Sequence, residues 1–305
     1  MNIRLQNLYF TYKSLGASSE YALEDISLHI SEGEFLALVG PSGSGKTTLM
    51  QHLTGLLKPD QGRILVDGLD IFAKESSLPQ IRRRIGLVFQ FPETQLFEET
   101  VYDDVAFGPR NLGLSPDETN LRVEEAMCSV ALDFEKYKSR SPMRLSEGEK
   151  RRVAIAGIVA MKPEFLALDE PTAGLDPHGV QAVIKILRNL HAQGKSVLLI
   201  SHNLDLVSAL VERIVLLKEG KIWFDGHKRE LFRNDQILES LGLALPRAQQ
   251  VVKTLKRMGL LNSTELYSLQ EIQNELAKNL KTNNEIAEVM KKLDGKSLLF
   301  ECVSK

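Results

Sequence analysis

Apolar and polar residues alternate at the start of the chain, with Ile3, Leu5, Asn7 and Tyr9 in step, which predicts a strand over residues 2–12. A looser stretch containing Ser and Gly covers Lys13 to Ser19. A second strand pair follows, in which Phe35–Val39 is an unbroken apolar run, the pattern of a strand covered on both faces of a sheet. The run stops at Gly40, where a glycine-rich turn leads into a predicted helix from Lys46 to about Leu57. Strand character returns around Arg63–Val66 and Ile85–Phe89. From Phe91 to Met161 the pattern is helical and polar, broken by loops at Gly113–Pro116 and Ser141–Pro142. Two more apolar runs, Phe165–Leu168 and Ser196–Ile200, flank a helix predicted over Pro177–Ala192. Strand, helix and strand in this order, with buried runs, predict an α/β domain with a mainly parallel sheet.

After about Phe232 the character changes. Val251, Val252, Leu255 and Met258 recur at helical spacing, as do Leu266, Leu269, Ile272, Leu276 and Leu280, and then Ile286, Val289, Met290 and Leu293. No chemical motif accompanies these amphipathic stretches. They predict a small, mostly helical domain over 233–305 that serves packing or dimerisation, beside a main domain over 1–232 whose helical part lies at about 91–161.

The length of 305 residues agrees with two domains, and 43% hydrophobic with 26% charged residues is a globular balance. A formal net charge of −2 gives no basic excess for nucleic acid. Cys128 and Cys302 have neither disulfide-framework nor zinc spacing, which fits a reducing compartment. No apolar run approaches the ~18–20 residues that span a bilayer, and the first residues lack the pattern of a signal peptide. Service to a membrane would therefore run through partners, from its cytoplasmic face.

The strongest chemical signal is Gly40-Pro41-Ser42-Gly43-Ser44-Gly45-Lys46-Thr47-Thr48, a phosphate-loop pattern between a predicted strand and a predicted helix. Its glycines let backbone N–H groups turn inward around phosphate oxygens, and the helix N-terminus adds positive partial charge. Lys46 is placed to reach the β- and γ-phosphates of ATP, and the Thr47 hydroxyl to ligate Mg²⁺. The second signal is Asp169-Glu170 at the end of the run Leu166–Leu168. Ligands bind beyond the carboxyl ends of strands in α/β sheets, so Asp169 is a candidate Mg²⁺ ligand. Glu170 is a candidate general base that polarises the attacking water. Gln90 and His202 each follow a predicted strand and converge on the same edge.

Taken together, these residues resemble an ABC-type ATPase over residues 1 to about 232. Phosphate loop, Gln90, a signature segment, Asp169-Glu170, Ala173-Gly174-Leu175-Asp176 and His202 come in that family's order. The resemblance implies a P-loop fold with an antiparallel N-terminal β part and a helical subdomain. It further implies that Tyr12 stacks on adenine, that Gln90 senses Mg²⁺ and the partner subunit, and that His202 contacts the γ-phosphate. Asp176 would lie at a dimer contact. The family's LSGGQ signature stands here as Leu145-Ser146-Glu147-Gly148-Glu149, and by resemblance Ser146 and Gly148 face the ATP of the opposite subunit. Ser146-x-x-Glu149 also reads as a capping box. A carboxylate ~8 Å from phosphate charge would be repelled by about 2 kcal/mol at an effective dielectric of ~20. Lys150, Arg151 and Arg152 follow at once and are placed to offset that repulsion.

The stretch from Phe91 to Pro109 is similar to the matching segment of energy-coupling factor ATPases, which drive uptake of vitamins and transition-metal ions. Glu93, Glu98, Glu99, Asp103 and Asp104 are interleaved there with Leu96, Phe97, Val101 and Val105. An apolar groove rimmed by acids suits a partner helix presenting arginines. The resemblance thus implies three partners: a second ATPase subunit, an integral membrane coupling subunit, and indirectly a substrate-binding membrane subunit. The alternatives are the ATPase of another ABC importer or exporter, and a clamp acting on nucleic acid or the ribosome. Such clamps carry two cassettes or long coiled-coil insertions, which this chain lacks.

Overall fold

The computed structural model describes residues 1–12, 21–74, 76–234, 237–238 and 242–282. The loose stretch at Lys13–Ser19, the apolar set Ile286, Val289, Met290 and Leu293, and Cys302 lie outside them. The chain divides into two compact units, Met1–Leu231 and Phe232–Lys305.

Among the described residues the first unit carries two sheets. β1 (Ile3–Phe10), β2 (Leu23–Ile30), β4 (Gln61–Val66) and β5 (Leu69–Asp70) form an antiparallel sheet in the order β2-β1-β4-β5. β1 keeps the alternating pattern only as far as Leu5: Ile3 and Leu5 are buried, but an irregularity at Asn7, with φ +47°, leaves Asn7 exposed and turns Leu8 inward in its place. The second sheet uses β3 (Phe35–Val39), β6 (Ile85–Val88), β7 (Phe165–Asp169), β8 (Ser196–Ile200), β9 (Arg213–Lys218) and β10 (Lys221–His227). Its order is β10-β9-β3-β8-β7-β6, parallel except for β10. Every residue of β3, β7 and β8 is buried, and each large apolar side chain so placed contributes about 1.5–3 kcal/mol. The continuous apolar runs are thus the central strands.

Helix α1 (Lys46–Leu53) follows β3 and ends four residues earlier than its apolar pattern suggests. Gly55 takes the left-handed conformation at φ +69°, and Leu56 N–H reaches back to Gln51 O at 2.8 Å while Gly55 N–H reaches His52 O at 2.9 Å. That pair of bonds is a Schellman stop. α2 (Leu78–Arg83) precedes β6. The helical part comprises α3 (Val101–Asn111), α4 (Pro116–Ser129), α5 (Phe134–Tyr137) and α6 (Glu147–Val159). α7 (Pro177–Ala192), α8 (Leu204–Leu210) and α9 (Lys228–Arg233) complete the list. α8 and the β9–β10 hairpin have no counterpart in the sequence reading, although Ile214–Leu217 is a buried apolar run like the others.

In the second unit, α10 (Arg247–Arg257) supplies Ala248 and Val252, α11 (Leu269–Thr282) supplies Ile272, and the segment between them supplies Leu261 to a small core of their own. Gln249 fixes the connecting segment by donating to Thr264 O at 3.1 Å and Leu266 O at 2.7 Å.

Candidate ATP site at the carboxyl ends of the sheet

Four strands of one sheet deliver the candidate residues to one edge: β3 runs directly into Gly40, β6 leads through Phe89 to Gln90, β7 ends at Asp169 with Glu170 next, and β8 leads through Ser201 to His202. In the phosphate loop two glycines are required by space. A Cβ on Gly40 would lie 2.0 Å from Leu217 O, and one on Gly45 would lie 2.6 Å from Ala22 O at φ +99°. Gly45 also opens α1 with no side-chain cap. By contrast Thr100, Ser115, Ser146, Asp176 and Asn203 cap α3, α4, α6, α7 and α8. The first N–H groups of α1 are therefore left for a ligand, as an anion site requires.

Lys46 folds back over this loop, its Nζ donating to Gly40 O at 2.9 Å and Pro41 O at 2.8 Å, with Ser44 Oγ at 3.4 Å. Ser44 is buried, whereas Ser42 and Gly43 are exposed. Burial lowers the Lys46 ammonium below its usual range, against the pull of Glu170 and Asp169. Thr47 Oγ1 donates to Asp169 Oδ2 at 2.9 Å. Burial raises the Asp169 carboxyl, reinforced by Glu170 and opposed by the Thr47 hydrogen bond and Lys46. A buried carboxylate beside a hydroxyl, both hard oxygen ligands, fits Mg²⁺ completed by phosphate oxygens and water. Gln90 stands exposed at the end of β6, with no side-chain hydrogen bond among the described residues.

Glu170 sits at φ +46°, in the left-handed region. Its Oε1 accepts from His202 N–H at 2.7 Å and from His202 Nδ1–H at 2.6 Å, and its Oε2 from Ser201 Oγ at 2.9 Å. The carboxylate and the imidazole are thus directly bonded, a contact that strand spacing alone does not reveal. Ser201 was not among the expected residues. Tyr12 lies half-exposed at the end of β1, its hydroxyl 3.1 Å from Thr48 Oγ1 and its ring edge-on to Phe10. The tyrosine of the antiparallel sheet and the phosphate loop of the parallel sheet therefore meet. Behind them His52 is fully buried, its Nδ1 bonded to Thr48 O at 2.8 Å and its Nε2 without a partner. Burial depresses its basicity.

In the signature segment the capping box is present in both directions. Ser146 Oγ accepts from Glu149 N–H at 3.3 Å, and Ser146 N–H donates to Glu149 Oε2 at 2.9 Å. Tyr137 O–H adds a bond to Glu149 Oε1 at 2.7 Å. These bonds, that from Ser146 N–H foremost, pull the Glu149 carboxyl down to about 2. Of the three cations expected to offset the acids, only Lys150 does so, through Glu147 at 2.8 Å. Arg152 turns to Gly148 O and Ala131 O, and Arg151 is buried against Glu93. Gly148 has open space at its Cα. Asp176 accepts from Gly179 N–H at 2.7 Å as the cap of α7.

The five acids after Gln90 divide. Glu93 is buried in its ion pair with Arg151. Asp103 accepts from Thr100 Oγ1 and pairs with Arg110 at 3.0 Å, while Asp104 accepts from Phe97 and Glu98 N–H groups and has Oδ2 buried without a partner. Leu96, Val101 and Val105 belong to the core, not to an open groove. Val101 and Val105, one helical turn apart on α3, share its buried face and so cannot floor a groove among the acids. Glu98 and Glu99 stand on the surface beside Phe97 and Phe107, whose rings meet edge-on at 5.0 Å, and Asp103 stays at the surface too, tied to the exposed Arg110.

A parallel sheet with an uncapped phosphate-loop helix, an Asp-Glu strand end and a helical insertion with a capped signature helix defines an ABC-type P-loop ATPase. The family described as ABC transporter matches residues 23–173. The energy-coupling factor transporter ATP-binding protein EcfA2 of Clostridium tetani is 46% identical over 91% of this chain and 97% of its own length. EcfA of Methanothermobacter thermautotrophicus is 42% identical over 84% and 81%. The structure of cbiO1 from Clostridium perfringens, part of the ABC transporter complex cbiONQ, superimposes with a TM-score of 0.70 at 36% identity, covering 82% of this chain and 98% of that one. A dimeric ATP-binding cassette in a post-hydrolysis state, bound to ADP and Pi, gives a TM-score of 0.65 at 32% identity, over 74% and 98%. The chain belongs to the energy-coupling factor transporter ATP-binding proteins, a branch of the ABC ATPases. It is an ATP-binding, ATP-hydrolysing subunit. Among the described residues no helix is long and apolar enough to cross a membrane.

Proposed function

We propose that the chain binds MgATP at Gly40–Thr48, hydrolyses it as half of a dimer, and drives uptake of a vitamin or a transition-metal ion through integral membrane subunits at the cytoplasmic face. The observation that carries this reading is the uncapped start of α1 with Lys46 above it and the Thr47–Asp169 contact beside it. In this reading Lys46 binds the β- and γ-phosphates, Thr47 and Asp169 hold Mg²⁺ with Gln90 completing its shell through water, and Tyr12 receives the adenine ring. Mg²⁺ would neutralise phosphate charge when bound. Glu170 polarises the attacking water, and His202, bonded to it, orients it and reaches the γ-phosphate. With three hydrogen bonds on Glu170, the base is held away until ATP draws His202 towards the phosphate. Ser146 and Gly148 complete the site of the second ATPase subunit, and Asp176 lies at that contact. Phe97, Phe107, Glu98 and Glu99 offer a docking face to the membrane coupling subunit, and the second unit serves dimerisation. The full-length match to energy-coupling factor relatives favours this over another importer or exporter, and the net charge of −2 disfavours a nucleic-acid clamp.

The test is a pair of substitutions that fail differently. Glu170→Gln keeps ATP binding and loses about 10²–10⁴ in hydrolysis rate, the range of a general base. Lys46→Ala weakens ATP binding itself. Near-normal turnover by Glu170→Gln removes Glu170 from the role of base.

A further inference from the structure

Arg151 is 1% exposed, an unusual place for a guanidinium. Nε and Nη2 form a two-pronged pair with Glu93 at 2.8 and 2.7 Å, Nη1 donates to Pro171 O at 2.8 Å, and Nη2 also to Ala173 O at 3.1 Å. Three segments meet at this one group. Glu93 lies in the turn that follows Gln90, Arg151 in the first half of α6, and Pro171 and Ala173 in the loop that follows Glu170. The guanidinium carbon also lies 5.9 Å from the Phe91 ring centroid. Phe91 holds φ +55°, a strained conformation for a bulky residue.

Stability alone does not account for such an arrangement, because desolvating two charges offsets most of their attraction, and apolar pairs of similar volume often hold a fold as well. A guanidinium adds what a methionine lacks: a rigid plane that binds a carboxylate on one edge and carbonyls on another. An ångström of movement by either the post-Gln90 turn or the post-Glu170 loop would strand a buried charge unless the other moved with it. We propose that Arg151 is a positioning residue that makes these two segments move together, so that events at Glu170 reach the partner-facing turn through its side chain. The proposal rests on the reading that Glu170 and Gln90 face ATP.

The experiment compares wild type, Arg151→Met/Glu93→Leu and Arg151→Lys in the purified ATPase dimer. MgATP is the probe, and hydrogen exchange, ATP affinity and steady-state hydrolysis are the readouts. In wild type, MgATP slows exchange both at Thr172–Leu175 and at Glu93–Phe97. In the apolar pair, melting temperature and ATP affinity hold and the slowing at Thr172–Leu175 persists. The slowing at Glu93–Phe97 falls below half, and kcat drops about tenfold at unchanged KM, as expected when only transition-state geometry is lost. Arg151→Lys retains the charge without the fork and shows the same loss. Wild-type transmission and kcat in the apolar pair overturn the proposal. So does an unfolded apolar pair beside a fully active Arg151→Lys chain, which would make this a structural ion pair. Glu170→Gln, measured in parallel, separates the two readings: turnover by that variant sinks the site assignment, whereas its inactivity with both segments protected leaves the clamp as the only question.

Discussion

At the scale of single residues, Glu149 shows how one substitution in a signature can be absorbed locally. Its carboxylate closes the capping box with Ser146 and takes the Tyr137 hydroxyl. A folded pKa of about 2, against an ordinary value of 4.5, has a defined sign. The depressed value stabilises the fold fully above pH 4.5, and that contribution disappears as the pH falls from 4.5 through 2. Urea midpoints should therefore separate wild type from Glu149→Gln at pH 7 and 5, and converge towards pH 3. A gap that widens on acidification contradicts the depressed pKa. Ser146→Ala should cost about 1 kcal/mol of stability as a lost N-cap. The capping box was legible because its partners are three residues apart. Arg151 was not: its carboxylate partner lies 58 positions away, and a run of three cations looks like solvated charge until the chain is folded.

Among the elements, central strands were the most legible. Phe35–Val39, Ser196–Ile200 and the helix Pro177–Ala192 stand at the bounds their patterns imply, since continuous burial and a long amphipathic period leave little ambiguity. The surface after Gln90 was legible in composition but not in direction. Three acids that look like a free rim are committed locally: Glu93 is buried against Arg151, Asp104 accepts backbone N–H groups, and Asp103 is held at the surface by Thr100 and Arg110. A sharper expectation for docking follows from Glu98 and Glu99, whose carboxylates make no side-chain bond among the described residues. Replacing Glu98 and Glu99 together by Lys should detach the chain from a membrane partner with ATP affinity nearly unchanged. Truncating one partner of a desolvated interfacial pair typically loses ~2–5 kcal/mol, while rim charges lose little. Co-purification and nucleotide binding on one preparation check this, and continued association at high salt would leave the two acids as mere solvated charge.

For the whole molecule, the decisive arrangement is that one sheet edge gathers the phosphate loop, Gln90, Asp169, Glu170 and His202, while Tyr12 follows a strand of the antiparallel sheet, Asp176 caps α7 and the signature lies on the helical part. If Ser146 serves the opposite chain, then for self-paired chains a mixture of Ser146→Arg and Lys46→Ala should exceed the hydrolysis of either parent. Each mixed dimer concentrates both lesions in one site and leaves the other whole. A mixture no better than its parents argues against shared sites. The order of strands has a mechanical corollary. β6 is the outermost parallel strand and is laddered along one flank only, Val88 beside Leu168 and Ile85 beside Phe165. A tug on the chain after Gln90 therefore meets no second ladder to share it. Along the backbone the load passes through the β6–β7 ladder as far as Leu168, and the last residue of β7 is Asp169, so the strand with a single ladder is wired to the carboxylate that holds Thr47.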